Sequence, residues 1–419
     1  MKHITTALLL VFFYSANAQI TQPAQPTTGP GGSQYAHGGV TQYDYGTNGS
    51  GGDFWLYEPN SPTPDSANVI IFIHGLGETN PKLYGAFIKH LVRKGNIVIY
   101  PRYQKDLNTN SNTFNDSCAH GIKRALDTIQ QAGHVKGRIQ NYFILGHSVG
   151  GVLTANMTML HAQYGLPKPL TAFSIQPGAA TYLMNDYSTF PADVKYLIAV
   201  GTEDIIVGTA PGNTLFNQTV NVPTSHKNLI TQYTDTHGNP SSDASHFAPL
   251  AADNDFDNGE TNLFIIASGS GPVDGVDFYC FWKLQDALMD CALRNENCEY
   301  AFGDTPEQHG MGNWSDGTPV RILEVTPSAA TGLGNTLANN AYTIYPNPNA
   351  SSLWHINTGN NFVGGTLTIM NMDGKVLLQT VLANTESTFQ FTPAVKGVYI
   401  AAVKNSTGDN VKYLKLVVD

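Results

Sequence analysis

The sequence predicts two folded parts: an α/β domain with a mostly parallel sheet flanked by helices, and a small all-β sandwich at the C-terminal end. Three observations predict this fold class. Several short runs are apolar at every position, as in central strands that helices cover on both faces. Helical patterns lie between these runs, and such alternation is typical of a parallel sheet. Beyond about residue 326 the composition shifts, and short segments of alternating apolar and polar residues follow.

The length and composition of the chain limit its class. With 419 residues it is too long for one ordinary domain. Only 13% of the residues are charged, while Gly, Asn, Thr and Tyr are plentiful, which is more typical of an extracellular than of a cytosolic protein. The formal net charge of −10 argues against nucleic acid and anionic membrane surfaces as partners.

Residues 1–18 have the features of a signal peptide. Lys2 supplies the positive start, residues 7–14 are apolar, and Ala16-Asn17-Ala18 forms a small-residue cleavage site. This apolar stretch is too short to span a bilayer and no later run reaches ~20 apolar residues, so the mature chain is expected to lack a transmembrane segment. A buried N-terminal helix is the alternative, which those flanks do not favour. Residues 19–40, rich in Gln, Pro, Thr and Gly, predict a flexible lead-in.

The α/β domain is expected to span residues 41–326. Its helix at 81–94 has Pro81 in the first turn and Gly95 just past the end, and its apolar residues recur at helical spacing. The helix after residue 148 is predicted from the apolar spacing of Leu153, Met157 and Leu160. Further helices are predicted at 115–131 and 281–293. The predicted strands span residues 41–45, 53–57, 69–73, 97–100, 142–145, 171–175, 196–200 and 228–233.

The end of the chain predicts a linker and a second domain. Residues 327–342 are rich in Ser, Ala, Gly, Thr and Asn without periodicity, and are expected to form the linker. Residues 343–419 predict the β-sandwich, with turns between short strands. These strands are expected at 367–370, 376–381, 389–391, 398–403 and 413–418.

Four cysteines in an exported chain allow three disulfide connectivities. Cys291 and Cys298 are close enough to close a short loop after a helix, whereas Cys118 could equally be a small buried apolar residue. No partner is assigned to Cys280. The chain has no Cys-x-x-Cys, so neither a redox site nor a zinc site is predicted.

An acidic stretch at residues 253–260 alternates oxygen ligands as calcium loops do. Its glycine, Gly259, falls one position late for an EF-hand, and Phe264 stands where such a loop has its twelfth-position glutamate. A solvated acidic loop is therefore preferred over a calcium loop, and no metal is predicted.

The clearest chemical motif is Gly146-His147-Ser148-Val149-Gly150, which follows the apolar run at 142–145. Gly-x-Ser-x-Gly after a strand predicts a sharp strand-to-helix turn that lifts the serine hydroxyl out of the sheet. A serine hydroxyl at its free pKa is a poor nucleophile. The motif therefore needs a base and an acid elsewhere in the chain.

Both groups are found after later strands. The strand at 196–200 is followed by Glu203 and Asp204, and the loop after the strand at 228–233 reaches His246. Functional groups gather at the carboxyl ends of parallel strands, and the order Ser148, Asp204, His246 is that of the α/β-hydrolases. Residues 41 to about 325 resemble an α/β-hydrolase of the esterase/lipase kind.

The resemblance implies a secreted serine hydrolase that cleaves carboxylic esters through an acyl-enzyme and without a cofactor. His246 would be the general base and Asp204 would orient it, while the backbone N–H groups of Val149 and Leu76 would form the oxyanion hole. The ester substrate could be a lipid, a plant ester or a polyester.

The sequence contains rival residues for the acid and the base, and it allows one rival function. Glu203, Asp235 and Asp243 compete for the role of the acid, and His226 and His237 for that of the base, but their positions fit the expected order less well. His74 and His147 are expected to be structural or to face the substrate. The alternative function is a catalytically inactive hydrolase-fold protein with a binding or adhesive role.

The C-terminal part resembles the sorting domain of Bacteroidetes proteins that leave through the type IX secretion system. The resemblance rests on Tyr345-Pro346-Asn347-Pro348, on the run at 396–400 and on the final strand at 412–418. It implies the type IX machinery as a partner and a secreted or cell-surface location after periplasmic transit. A carbohydrate-binding or adhesive sandwich is the alternative, although Trp354 is the only tryptophan in this part.

Overall fold

The structure is a computed structural model that divides into two compact units, residues 1–331 and 332–419. It describes residues 19–46, 51–179, 183–260, 271–327, 343–345, 347, 349, 352–358, 362–371, 375–406 and 411–418. The predicted signal peptide, 1–18, lies outside the described residues, as does all of the predicted linker except Pro327.

The first unit is built on a nine-stranded mixed sheet with the strand order β1-β2-β4-β3-β5-β6-β7-β8-β9. Strands β4, β3, β5, β6, β7 and β8 are parallel neighbours, and β1, β2 and β9 join the two edges in antiparallel pairs. The predicted α/β class with a mostly parallel sheet is confirmed. The strands are β1 Gly39–Asp44, β2 Asp53–Asn60, β3 Ser66–Ile73, β4 Asn96–Arg102, β5 Lys136–His147, β6 Thr171–Ile175, β7 Lys195–Gly201, β8 Lys227–Gln232 and β9 Glu324–Pro327.

Helices cover the sheet on both faces, which explains the fully apolar strands. In β3, Ile70 and Phe72 belong to one buried cluster, while Val69 and Ile71 belong to the cluster on the opposite face. Helices α1 and α6 contribute to the first cluster, and α2, α3 and α5 contribute to the second. The helices are α1 Gly85–Arg93, α2 Phe114–Thr128, α3 Val149–Met159, α4 His161–Tyr164, α5 Ala210–Gln218, α6 Trp282–Arg294, α7 Cys298–Ala301 and α8 Pro306–His309.

Several elements of the first unit differ from the sequence prediction, among them the four-residue helices α4, α7 and α8, which were not predicted. The predicted helix at 81–94 begins as a 3₁₀ turn, Pro81–Tyr84, before α1. Strand β9 was not predicted, because its four residues lie where the composition changes; its Pro327, assigned to the linker, pairs with Asn228 of β8. Helix α5 was also missed, since its sequence APGNTLFNQ contains proline and glycine and has few apolar residues.

The segment predicted as a flexible lead-in makes many fixed contacts with the first unit. Gln22 donates to the carboxylate of Asp274 at 3.1 Å, and the Gly31 N–H donates to Asp286 at 2.9 Å. Ile20 packs against the apolar cluster, and Gly39 already belongs to β1. This packing differs from the expectation of a segment without partners, because composition alone does not reveal contacts with residues over 200 positions away.

The cysteines and the acidic stretch also have clear partners. Cys291 and Cys298 form a disulfide between α6 and α7, as the short loop predicted, while Cys118 and Cys280 are free and buried in different clusters. In the acidic loop at 253–260, the carboxylates pair with basic side chains and are not simply solvated. Lys89 lies 3.0 Å from both Asp253 and Asp255, Lys82 lies 3.0 Å from Asp257, and Arg102 lies 2.7 Å from Glu260.

The second unit is all-β, and among its described residues every pair of neighbouring strands is antiparallel. Strands β10, β11 and β14 form a three-stranded sheet, and β13, β12, β15 and β16 form a four-stranded sheet. Trp354 is fully buried in the core of this unit, so it is not available as a surface platform for sugars. The strands are β10 Thr343–Tyr345, β11 Leu353–Asn357, β12 Thr366–Met370, β13 Val376–Val381, β14 Glu386–Gln390, β15 Gly397–Lys404 and β16 Val411–Val418. The sequence did not predict β10 and β11.

Candidate active site

Ser148 lies on the sharp turn between β5 and α3. Its backbone has φ 56° and ψ −122°, a region that residues other than glycine rarely adopt. The turn is held by the Ser148 N–H, which donates to the Ile175 carbonyl at 3.0 Å. A Cβ added at Gly146 would lie 2.4 Å from the Gly150 carbonyl oxygen, and one added at Gly150 would lie 2.1 Å from that of Ile73. Close backbone approach therefore requires both glycines of the motif.

The side chains of Ser148, His246 and Asp204 form one chain of hydrogen bonds. His246 Nε2 lies 2.9 Å from Ser148 Oγ, and His246 Nδ1 lies 2.7 Å from Asp204 Oδ2. The three residues follow β5, β8 and β7, so they meet at the carboxyl edge of the parallel sheet. All three are buried to at least nine-tenths. The structure thus brings together the three residues predicted from the chain order.

The surroundings favour a charged Asp204 and a neutral His246. Burial raises the pKa of Asp204. The hydrogen bonds from His246 and from the N–H groups of Val207 and Ile206 lower this pKa by more than burial raises it, so the net shift is downward. Burial is the main cause that lowers the pKa of His246; Asp204 opposes this and His147 adds to it. With Nδ1–H donating to the carboxylate, Nε2 is free to accept the Ser148 proton.

The backbone of the loop that carries His246 is held from two strand ends. Gln176, which follows β6, donates its side-chain amide to the Ser245 carbonyl at 2.7 Å. His147, the last residue of β5, donates Nε2–H to the His246 carbonyl at 2.9 Å. Sequence reasoning missed Gln176, although its place directly after a predicted strand was a usable signal.

In the turn after β3, the backbone N–H of Leu76 has no acceptor among the described residues. Gly75 N–H donates to the Glu78 carboxylate at 2.9 Å, and Gly77 N–H donates to the Gln104 side chain at 2.8 Å. Among the described residues, neither Leu76 N–H nor Val149 N–H has a hydrogen-bond acceptor. Both residues line the same cleft as Ser148. These are the two donors that the sequence predicts for an oxyanion hole.

The cleft above Ser148 is mostly apolar. Its volume is about 360 Å³, and among the described residues its polar lining comes from Ser148, His246 and Glu78. Small-molecule sites are typically apolar clefts of this kind with a few placed polar groups. The apolar lining residues are Leu76, Val149, Ala179, Ile206, Val207, Pro211 and Phe247.

The rival acids and bases have other partners or lie elsewhere. Asp235 accepts Trp314 Nε1–H at 3.0 Å, and Asp243 accepts the Ser245 N–H at 3.1 Å. His237 pairs with Asp316 at 2.8 Å. Glu203 is exposed, and His226 precedes β8 in a short 3₁₀ turn.

The two histidines expected to be structural are buried. His74 stacks on Tyr103 with ring centroids 4.3 Å apart, and burial lowers its pKa to about 4, so it stays neutral. His147 is fully buried and contacts Tyr84 and the backbone of His246.

Comparison with known proteins gives a match for the second unit. The family model of the secretion system C-terminal sorting domain matches residues 343–419. No curated protein matches the chain. No helix within the described ranges is long and apolar enough to cross a membrane.

The match places the chain among exported proteins. Residues 343–419 are a sorting domain of the type IX secretion system, as the sequence predicts. The protein is therefore secreted or displayed on the cell surface, with the secretion machinery as a partner.

Proposed function

We propose that the first unit is an α/β-hydrolase domain and that the protein is a secreted serine esterase. The observation that carries the proposal is the continuous hydrogen-bonded chain Ser148–His246–Asp204 beside two backbone N–H groups that have no acceptor among the described residues. A hydroxyl, a neutral imidazole and a carboxylate in this order form the constellation that activates serine for acyl transfer.

The reaction follows from the positions of these groups. Ser148 Oγ attacks the ester carbonyl carbon while His246 Nε2 takes the hydroxyl proton. The oxyanion that forms accepts hydrogen bonds from Leu76 N–H and Val149 N–H. When the intermediate collapses, the C–O bond to the alcohol breaks and His246 returns its proton to the leaving oxygen. Water then attacks the acyl-enzyme by the same route, giving the free acid and restoring Ser148.

The cleft supports an uncharged, apolar ester as the substrate. Among the described residues that line it, the walls are apolar apart from Ser148, His246 and Glu78, and Glu78 is paired with other protein groups. Lipids, plant esters and polyesters all meet this description.

Hydrolysis of p-nitrophenyl butyrate, together with labelling by a fluorophosphonate, tests the proposal. The wild-type protein should do both, and Ser148→Ala should lose turnover by about 10⁴-fold or more while staying folded. Ser188→Ala, at an exposed serine, is the matched control and should retain full activity. A folded Ser148→Ala variant with wild-type turnover would contradict the proposal.

A further inference from the structure

A buried acidic residue beside the nucleophile has no part in the reaction described above. Glu78 is 3% exposed and lines the cleft, and its Oε2 is the nearest atom, at 2.2 Å, to a Cβ built on Gly75. That same Cβ would lie 3.3 Å from Ser148 Cβ, so the carboxylate lies close behind the nucleophile. A buried carboxylate is unfavourable unless it is paired and hydrogen-bonded.

Glu78 has such partners on three elements. Its Oε2 accepts the Gly75 N–H at 2.9 Å and the hydroxyl of Tyr84, and it lies 3.4 Å from His147 Nδ1. The Tyr84 oxygen lies 2.7 Å from the same nitrogen of His147. Tyr84 and His147 are both fully buried.

The hydrogen bonds of this group favour the carboxylate form of Glu78. His147 Nε2 faces a carbonyl oxygen and must therefore carry a proton. Tyr84 donates its single proton to Glu78, and its oxygen also lies 2.7 Å from His147 Nδ1, so the hydroxyl links the imidazole to the carboxylate. Burial raises the pKa of Glu78. The hydrogen bond and charge of His147, together with the bond from Tyr84, lower this pKa by more than burial raises it, so the carboxylate form prevails.

We propose that Glu78 is a positioning residue, which with Tyr84 and His147 holds the oxyanion turn and the base in one buried unit; the proposal rests on the esterase function. On one side, Glu78 accepts the Gly75 N–H, which also lies 3.3 Å from the Tyr84 oxygen. The next N–H of this turn, that of Leu76, has no acceptor among the described residues and faces the cleft. On the other side, His147 holds the His246 carbonyl, with the two imidazole rings 4.7 Å apart.

The main chain around Glu78 reinforces this role. The Glu78 carbonyl accepts the Tyr100 hydroxyl at 2.7 Å, and the His74 carbonyl accepts the Tyr103 hydroxyl at 3.0 Å. Both ends of the turn are thus fixed, and Glu78 sets the orientation of the peptide between them. A donor misplaced by a fraction of an ångström loses its bond to the oxyanion but contacts the ground-state substrate much as before.

Steady-state kinetics on p-nitrophenyl butyrate and inhibition by an alkyl boronic acid, which forms a tetrahedral adduct, test this role. Glu78→Ala should lower kcat by about 100-fold with KM within about threefold, since loss of one oxyanion donor has an effect of this size. The boronic acid Ki should rise in parallel with the loss of kcat. Glu78→Gln should recover most of the activity, because its amide oxygen still accepts the Gly75 N–H. Glu203→Ala, at an exposed glutamate, is the matched control.

The outcomes separate this inference from the proposed function. A wild-type protein that does not react with fluorophosphonate contradicts the esterase function and this inference with it. A reactive wild type with unchanged kcat in folded Glu78→Ala, or with a change in KM alone, overturns only the positioning role. If Glu78→Ala does not fold, Tyr84→Phe removes one hydroxyl from the unit, and a folded Tyr84→Phe variant with wild-type kcat overturns the role equally.

Discussion

At the scale of single residues, the site depends on backbone groups as much as on side chains. The conformation of Ser148 is strained for a residue with a Cβ, and such strain persists only where the surroundings fix it. Here the Ser148 N–H is bonded to the end of β6, and its carbonyl accepts the N–H groups of Gly151 and Gly178. The backbone of the proposed nucleophile is therefore fixed before any substrate binds.

The base is the residue whose identity is most easily tested. His246→Ala should lose turnover as severely as Ser148→Ala, because members of such a unit act together. His237→Ala is the matched control, since His237 is bonded to Asp316 on the surface. Rates of p-nitrophenyl butyrate hydrolysis show which of the two histidines is the base. A strong loss of turnover in His237→Ala, together with an active His246→Ala, would overturn the assignment.

The pH dependence follows from the state of the same imidazole. Only neutral His246 can accept a proton, so kcat/KM should fall as the pH drops through its pKa. Burial, aided by the charge of His147 and opposed by Asp204 and Glu78, lowers this pKa below 6.5. At pH 6.5 the enzyme should therefore keep more than half of its plateau kcat/KM. A midpoint above pH 6.5, measured on a substrate without ionisable groups, would contradict the assigned environment.

At the scale of elements, the sequence predicts best what local patterns determine. Strand β3 was found because both of its faces are buried. Ser148, Asp204 and His246 were predicted to meet because each follows a recognisable strand, and the structure brings them together, while their catalytic roles stay a proposal. Strand β9 was missed because four residues are too few to show a recognisable pattern of apolar and polar positions. The role of Glu78 was missed because it depends on Tyr84 and His147, which are brought together only by the fold.

The loop after β7 is expected to determine which acyl-chain lengths the cleft prefers. Ile205 is 92% exposed and Ile206 is 53% exposed, and the N–H groups of Ile206 and Val207 are bonded to Asp204, so this apolar shoulder is fixed beside the site. Exposed apolar residues at the rim of a cleft are typical of a binding surface. The double variant Ile205→Ser/Ile206→Ser should lower kcat/KM for a p-nitrophenyl decanoate by about tenfold, through lost burial of the chain.

The acetate ester provides the internal comparison for that variant, since its acyl chain is too short to reach the shoulder and its kcat/KM should stay unchanged. Ile322→Ser is the matched control, because Ile322 is 55% exposed and does not line the cleft. Equal losses on acetate and decanoate would indicate that the loop holds Asp204 but does not bind the chain.

At the scale of the whole molecule, export and the proposed chemistry belong to different units. The segment from 345 to 419 has five Lys against three Asp and one Glu, so it offers no strong electrostatic attraction for a substrate. Its described apolar core is its own, with Trp354, Ile356 and Leu416 buried in one cluster. Units with separate cores are expected to fold independently.

Truncation separates the two roles. The sequence places the boundary near residue 326, but Pro327 completes β9 at the edge of the nine-stranded sheet, so the chain should end after Thr331. This truncated protein, produced without its secretion route, should keep kcat/KM on p-nitrophenyl butyrate within about twofold, because all proposed catalytic residues lie before the cut. In the native host the same truncation should abolish export.

Full-length Ser148→Ala is the matched control for that experiment, since it keeps the sorting domain and should be exported without activity. Together the two variants show whether the C-terminal unit acts only in export or also contributes to catalysis. If the truncated chain were still exported and lost turnover only on an insoluble ester, the C-terminal unit would act as a binding module in this protein, and the sorting role would not explain its presence.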